Sequence, residues 1–166
     1  MKKIIFLDVD GVLNIFSESY MTNNVEYDTR FNFSITRLEF HLVKRLEYII
    51  KNTDAYIVVC SGWGMNELKN VLEDCEFKYL SRIIDEVNPT DRVKSILNYV
   101  KEHNITDYIV LDDEIDYELL HKYLPNEIDR IPFIGTRVNY REGLTDDNAL
   151  YAINWLNKIG TLAKFK

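Results

Sequence analysis

The chain opens on Lys3-Ile4-Ile5-Phe6-Leu7, an apolar run of strand length that stops at Asp8-Val9-Asp10-Gly11-Val12. Two carboxylates two positions apart at the end of a buried strand are costly unless something compensates them, and the glycine after them lets the backbone turn sharply. The partner best suited to clustered carboxylate oxygens is a hard divalent cation such as Mg2+. Such an ion is held by one or two carboxylates together with waters and the phosphate oxygens of a substrate.

The rest of the chain alternates extended apolar runs with helical patterns, which predicts an α/β fold with a doubly wound, mostly parallel sheet. Ile4 to Val9 is the first strand. Thr36 to Lys51 carries Leu38, Leu42, Leu46 and Ile49 at helical spacing, with Arg37, Lys44, Arg45 and Lys51 left for the wet face. Ala55 to Cys60 reads as a second buried strand, Met65 to Asp74 as a short helix, and Ile83-Ile84 as a small strand. Val93, Ile96, Leu97 and Val100 mark another helix, capped by Thr90 or Asp91. Tyr108 to Leu111 is a third clear strand, ending in Asp112-Asp113. A last helix opens at Gly143-Leu144-Thr145, with Thr145 as its cap and Asp146 and Asp147 favourable to its positive end.

At 166 residues, the chain is expected to form one domain over residues 1–166, since a domain near this size buries roughly 70% of the surface its unfolded chain exposes. The hydrophobic share of 46% excludes a disordered chain, and no segment approaches the ~18 uninterrupted apolar residues of a membrane helix. Asp8 and Asp10 cut the first apolar run too short for a secretory signal, so a cytoplasmic protein is expected. Cys60 and Cys75 lie in different elements with no C-x-x-C spacing and read as reduced thiols. A net charge of −7 argues against extended binding along nucleic-acid backbones, without excluding contact with a nucleic-acid end.

In open α/β sheets, ligands bind outside the carboxyl ends of the strands. Here the first strand delivers Asp8 and Asp10, the second Ser61-Gly62-Trp63, and the third Asp112 and Asp113, preceded by a basic helix start at Arg92 and Lys94. Taken singly, each has a plainer reading: a hairpin turn at Asp10-Gly11, a strand-end hydroxyl at Ser61, a solvated turn or cap at Asp112-Asp113, an exposed helical Lys94. A calcium loop is excluded because Gly11 comes too early and no Glu follows at the required distance. A dinucleotide fingerprint at Gly62-Trp63-Gly64 lacks its third glycine, Glu67 standing there instead. His41, His103 and His121 show no metal spacing. The long irregular segment from Asn14 to Phe33 reads as a flap beside the site. Its Tyr20, Tyr27, Phe31 and Phe33 fit packing better than base stacking.

The order of these segments resembles the haloacid dehalogenase (HAD) superfamily. Asp8-Val9-Asp10-Gly11-Val12 is similar to the family's D-x-D-G-[TV] opening, Ser61 to its strand-terminal Ser or Thr, Lys94 to its lysine, and Asp112-Asp113 to its acidic pair. Phe6 to Asn14, Ser61-Gly62-Trp63, Val110 to Asp113 and the Gly143-Leu144-Thr145 helix opening further resemble the small HAD phosphatase domains found with RNA-repair and phage end-processing enzymes. Those domains often carry Arg after the Trp, where this chain has Gly64.

The resemblance implies a HAD-type Rossmannoid fold and a Mg2+-dependent phosphomonoester hydrolase. Asp8 would be the nucleophile that forms an aspartyl-phosphate, and Asp10 the general acid and base, its proton affinity raised by neighbouring negative charge. Ser61, Gly62 and Lys94 would hold the phosphoryl oxygens, with Arg92 an open competitor for the cationic role. The metal would be held by Asp8, Asp10 and Asp112, or Asp113 in its place. The intervals Asn14–Phe33 and Cys75–Asp91 are too short for a large cap domain, so a capless or minimally flapped site is expected, and family analogy links open sites to bulky substrates. The expected substrate is a nucleotide or nucleic-acid-end phosphate. The competing readings are a small-metabolite phosphatase of the same fold and a catalytically silent module that binds phosphorylated partners.

Overall fold

A computed structural model describes residues 2–15, 38–115 and 138–158. Among the described residues, four parallel strands form the sheet: β1 (Lys3–Leu7), β2 (Tyr56–Val59), β3 (Ile83–Glu86) and β4 (Asp107–Leu111), in spatial order β3-β2-β1-β4. The helices among these residues are α1 (Phe40–Thr53), α2 (Met65–Asp74), α3 (Arg92–Glu102) and α4 (Asp146–Leu156), with a 3-10 turn at Leu80–Arg82.

After their first residues, β1, β2 and β4 are apolar and buried, because helices cover both faces of the sheet. Side chains alternate across a strand. Ile5 and Leu7 of β1 therefore join Ile57, Val59, Ile109 and Leu111 in one core layer, beneath Leu42, Leu46 and Ile49 of α1, Leu68 and Leu72 of α2, and Ala152 and Leu156 of α4. Ile4 and Phe6 face the other way, against Val58, Val110 and α3 residues Val93 and Ile96. Each fully buried Leu or Ile of this kind contributes about 1.5–3 kcal/mol. The expected doubly wound architecture is the one observed.

Several boundaries differ from the sequence reading, each for a local reason. α1 begins at Phe40 rather than Thr36; Glu39 is extended, and its amide donates to the Leu13 carbonyl instead of entering a helix. The helix runs on to Thr53 and ends where Asp54 turns left-handed at φ 59°. β3 reaches Glu86 because an edge strand can carry polar side chains while β2 pairs with its backbone, Val58 opposite Asp85 and Val59 opposite Glu86. The Leu80–Arg82 turn and β3 both lie in the interval between Cys75 and Asp91, where no cap domain is inserted. The flap residues 16–33, with Tyr20, Tyr27, Phe31 and Phe33, and also His121, lie outside the described residues.

At α4 the expected Thr145 cap is present. Its hydroxyl accepts from the Asn148 amide while the Asn148 side chain accepts from the Thr145 amide, which satisfies two otherwise orphaned donors. Gly143, just before it, has φ +65°, and a side chain there would collide with Leu42 and the Val12 carbonyl. That close approach lets the Leu144 amide donate to Val12 O at 2.9 Å, tying α4 to the loop after β1. Cys60 and Cys75 are free thiols. Among the described residues, no helix is long and apolar enough to cross a membrane.

Candidate active site

Parallel register sets the site. Leu7 of β1 pairs with Val59 on one side and Leu111 on the other, so the residues that follow, Asp8, Cys60-Ser61 and Asp112, leave the sheet at one level. The pairing extends one step past the strands: the Asp8 amide donates to Leu111 O and the Cys60 amide to Leu7 O, each at 2.9 Å. Three sequence-distant tips are thereby held side by side by backbone hydrogen bonds.

Asp8, Asp112 and Asp113 each offer a carboxylate oxygen, and these oxygens lie within 4.8 Å of one another. Asp8 is 3% exposed and Asp112 1%. Asp112 is oriented by its own turn, its Oδ1 accepting from the Glu114 and Ile115 amides at 2.9 and 3.0 Å. Gly11 makes room for the third carboxylate: with φ +73° it turns the loop away from β1, and any side chain there would run into Asp113.

Burial, reinforced by the charge of Asp112, pushes the Asp8 carboxyl up to about 7, against the pull of Arg92, the Val9 amide and the Ser61 hydroxyl. Asp113 is pushed up to about 6 by burial and by Asp112. A donor set of three crowded carboxylates, two of them with raised proton affinity, suits a hard divalent cation, which would relieve both the burial and the mutual repulsion.

The cation already present at the cluster is Arg92. Its Nη1 donates to Asp8 Oδ2 at 2.8 Å and to Asp112 Oδ2 at 2.6 Å, with Glu114 at 3.8 Å. Burial alone would lower the proton affinity of this guanidinium, but the charges of Asp112 and Asp8 outweigh it and hold it above its ordinary value. Lys94, the other candidate, is exposed. Two residues along a helix turn the side-chain direction by about 200°, so the two cannot face the same carboxylates.

Ser61 is buried at the tip of β2, where its hydroxyl is one of the groups that favour the ionised form of Asp8. The loop it starts is braced at both ends. Ser61 Oγ accepts from the Trp63 amide at 3.4 Å, and Glu86 at the end of β3 accepts from the Met65 amide at 2.5 Å, on the first residue of α2. Gly62 is exposed, with open space where a side chain would stand.

Asp10 stands apart from the three clustered carboxylates. Its Oδ1 accepts from Asn14 Nδ2 at 2.7 Å and its Oδ2 from Trp63 Nε1 at 3.1 Å. Asn14 and Trp63 both fall within the motif stretches Phe6 to Asn14 and Ser61-Gly62-Trp63, but neither has a role of its own that can be assigned from sequence. The signal for Asn14 is only a polar residue inside an apolar stretch after the glycine, and Trp63 lies 53 positions from the carboxylate it contacts. Among the remaining histidines, His41 is exposed and His103 packs its ring against Tyr99 at 4.1 Å.

A parallel sheet wound on both faces, with acidic residues gathered at the carboxyl ends of its strands, defines a Rossmann-like α/β domain of the HAD type. The chain belongs to the family described as the HAD domain in Swiss Army Knife RNA repair proteins, whose sequence model matches residues 4–149. That membership points to a phosphatase-type hydrolase. Neither a curated protein nor a solved structure matches the chain.

Proposed function

We propose that this domain is a Mg2+-dependent phosphomonoesterase that works through an aspartyl-phosphate on Asp8. The observation that carries the reading is the junction at Asp8, where a buried carboxylate meets the Arg92 guanidinium and two further carboxylates within 4.8 Å. Asp8, Asp112 and Asp113 would hold Mg2+, which supplies positive charge that keeps Asp8 ionised and draws electron density from the phosphoryl oxygens.

The chain's own residues account for the rest. An Asp8 oxygen bonds to phosphorus as the ester P–O bond breaks, and Asp10 gives its proton to the departing oxygen. In the second half Asp10 takes a proton from water as the water oxygen bonds to phosphorus and the Asp8–phosphorus bond breaks, releasing inorganic phosphate and restoring both groups. Ser61 and the exposed backbone at Gly62 receive phosphoryl oxygens. Arg92 serves as the cationic clamp, where its fork of donors matches phosphoryl geometry better than a point charge would.

The RNA-repair setting in the family's description favours a phosphate at a nucleic-acid end over a free metabolite. The test is hydrolysis of p-nitrophenyl phosphate by the purified protein with Mg2+, followed by comparison of mononucleotides with 3′- and 5′-phosphorylated oligonucleotides. Activity that survives Asp8→Asn overturns the mechanism, and a preference for mononucleotides overturns the substrate.

A further inference from the structure

We propose that Trp63, together with Asn14, is a positioning residue for Asp10: the indole N–H and the carboxamide N–H grip the two oxygens of one carboxylate and fix its direction. The inference rests on the phosphomonoesterase reading and adds to it the parts that keep the acid and base separate from the metal ligands.

Asp8 and Asp10 are two residues apart, yet only Asp8 joins Asp112 and Asp113 in the cluster. A carboxylate free to rotate so close to a cation would be drawn in as another ligand, and its proton-transfer role would be lost. Two donors on opposite oxygens oppose this. The Asn14 amide is itself fixed, because its Oδ1 accepts from the Gly11 amide at 2.8 Å, which leaves Nδ2 as the edge facing Asp10. Asn14 is buried.

The Trp63 donor comes from a different part of the chain and is equally constrained. Its ring packs on the core beside α2, and its backbone belongs to the braced loop that starts at Ser61 and ends at the Glu86 contact. The indole therefore couples the direction of Asp10 to the loop that receives the phosphoryl group. Each Asp10 oxygen keeps a second lone-pair direction, so the group can carry and release a proton while both donors stay in place.

Positioning of a general acid matters in proportion to how badly the leaving group needs a proton. p-Nitrophenolate departs without one, whereas an alkoxide does not. Trp63→Phe keeps an aromatic ring and removes only the N–H. With Mg2+ present, the ratio of kcat for glycerol 2-phosphate to kcat for p-nitrophenyl phosphate is expected to fall about tenfold or more, a part of the 10²–10⁴ that a placed proton donor supplies. KM for each substrate should stay within about threefold. Asn14→Ala, which removes the other donor, should lower the same ratio, so the result does not depend on the folding of one variant. In an Asp10→Asn background, Trp63→Phe should cause no further fall.

Equal losses on both substrates, an unchanged ratio in the two single variants, or a full additional loss in the Asp10→Asn background each overturn the positioning role. Wild-type protein that hydrolyses neither substrate overturns the phosphomonoesterase reading, and this inference with it. Wild-type turnover of both with an unchanged ratio in the variants overturns this inference alone.

Discussion

Arg92 Nη1 lies 2.6 Å from Asp112 Oδ2, so the first residue of α3 is locked to the residue that follows β4. The same nitrogen reaches Asp8 at the tip of β1, and one guanidinium spans both acidic tips. An exposed ion pair is worth little, but this one is largely withdrawn from water, its Arg92 side chain 16% exposed and its Asp112 side chain 1%. Removing one partner would leave the others buried and uncompensated.

The two basic residues of the first turn of α3 should therefore behave differently. Arg92→Ala is expected to lower kcat/KM for p-nitrophenyl phosphate by about 10²–10³-fold, the range for losing one preorganised donor. Lys94→Ala should change it by no more than about threefold, as an exposed surface substitution does. Steady-state kinetics on the two variants checks this, and a larger effect at Lys94 would reverse the assignment.

Metal should stabilise the fold measurably. At a Mg2+ concentration of 100 times its Kd the linkage contributes about 2.7 kcal/mol, which in a domain of this size raises Tm by about 5–10 °C. Asp112→Asn and Asp113→Asn should each shrink that shift. Thermal melts with Mg2+ and with a chelator read both effects, and the variant that loses more of the shift contributes more to holding the ion.

Gly143→Ala should destabilise the protein by about 1–3 kcal/mol, the cost of a non-glycine residue in left-handed backbone, with the clash against Leu42 and Val12 O added. Urea titration measures it through a lowered midpoint. Because Leu144 hangs the start of α4 on Val12, the same variant should also loosen the loop that carries Asp10 and lower activity at temperatures well below its melting point.

The ion pair of Lys158 with Asp107, at 2.7 Å, predicts a pH dependence. The hydrogen bond from Lys158 holds the Asp107 carboxyl below its ordinary value in the folded protein, against a smaller opposing effect of burial. A depressed folded value means that the unfolded chain binds the proton first on acidification. Stability from this group is thus present above the unfolded value near 3.9 and fades as pH falls through the folded one. Lys158 is mostly exposed, so solvent screening limits the contribution to about 0.5–1 kcal/mol. Asp107→Asn should be less stable than wild type by that amount at pH 7, and the gap should close as the pH falls through the folded value of Asp107. A gap that persists unchanged at the lowest pH sinks the account.

Short-range chemistry made much of this architecture readable along the chain. An apolar run such as Ile4 to Leu7 has few homes other than a buried strand, Leu42, Leu46 and Ile49 repeat at a helix's period, and Thr145 with Asn148 three residues on closes a cap locally. Asp8 and Asp112 could be placed at strand ends because the apolar runs stop at them. Boundaries shifted where a partner remote in sequence intervened, as Leu13 does at Glu39.

The choices within the site have no local signature. Arg92 and Lys94 are both cationic and both lie in the first turn of the helix. Which of them meets Asp8 depends on the rotational phase in which Val93 and Ile96 dock α3 onto Phe6 and Val110, a packing relationship among segments far apart in sequence. Likewise, Asp8 and Asp10 differ little as residues of one motif. They are separated by what reaches them: Asp112 and Arg92 converge on the first, while an indole delivered from the end of β2 takes the second. Hydrogen bonds and charge act over a few ångströms of space, and only the assembled sheet brings those groups into range.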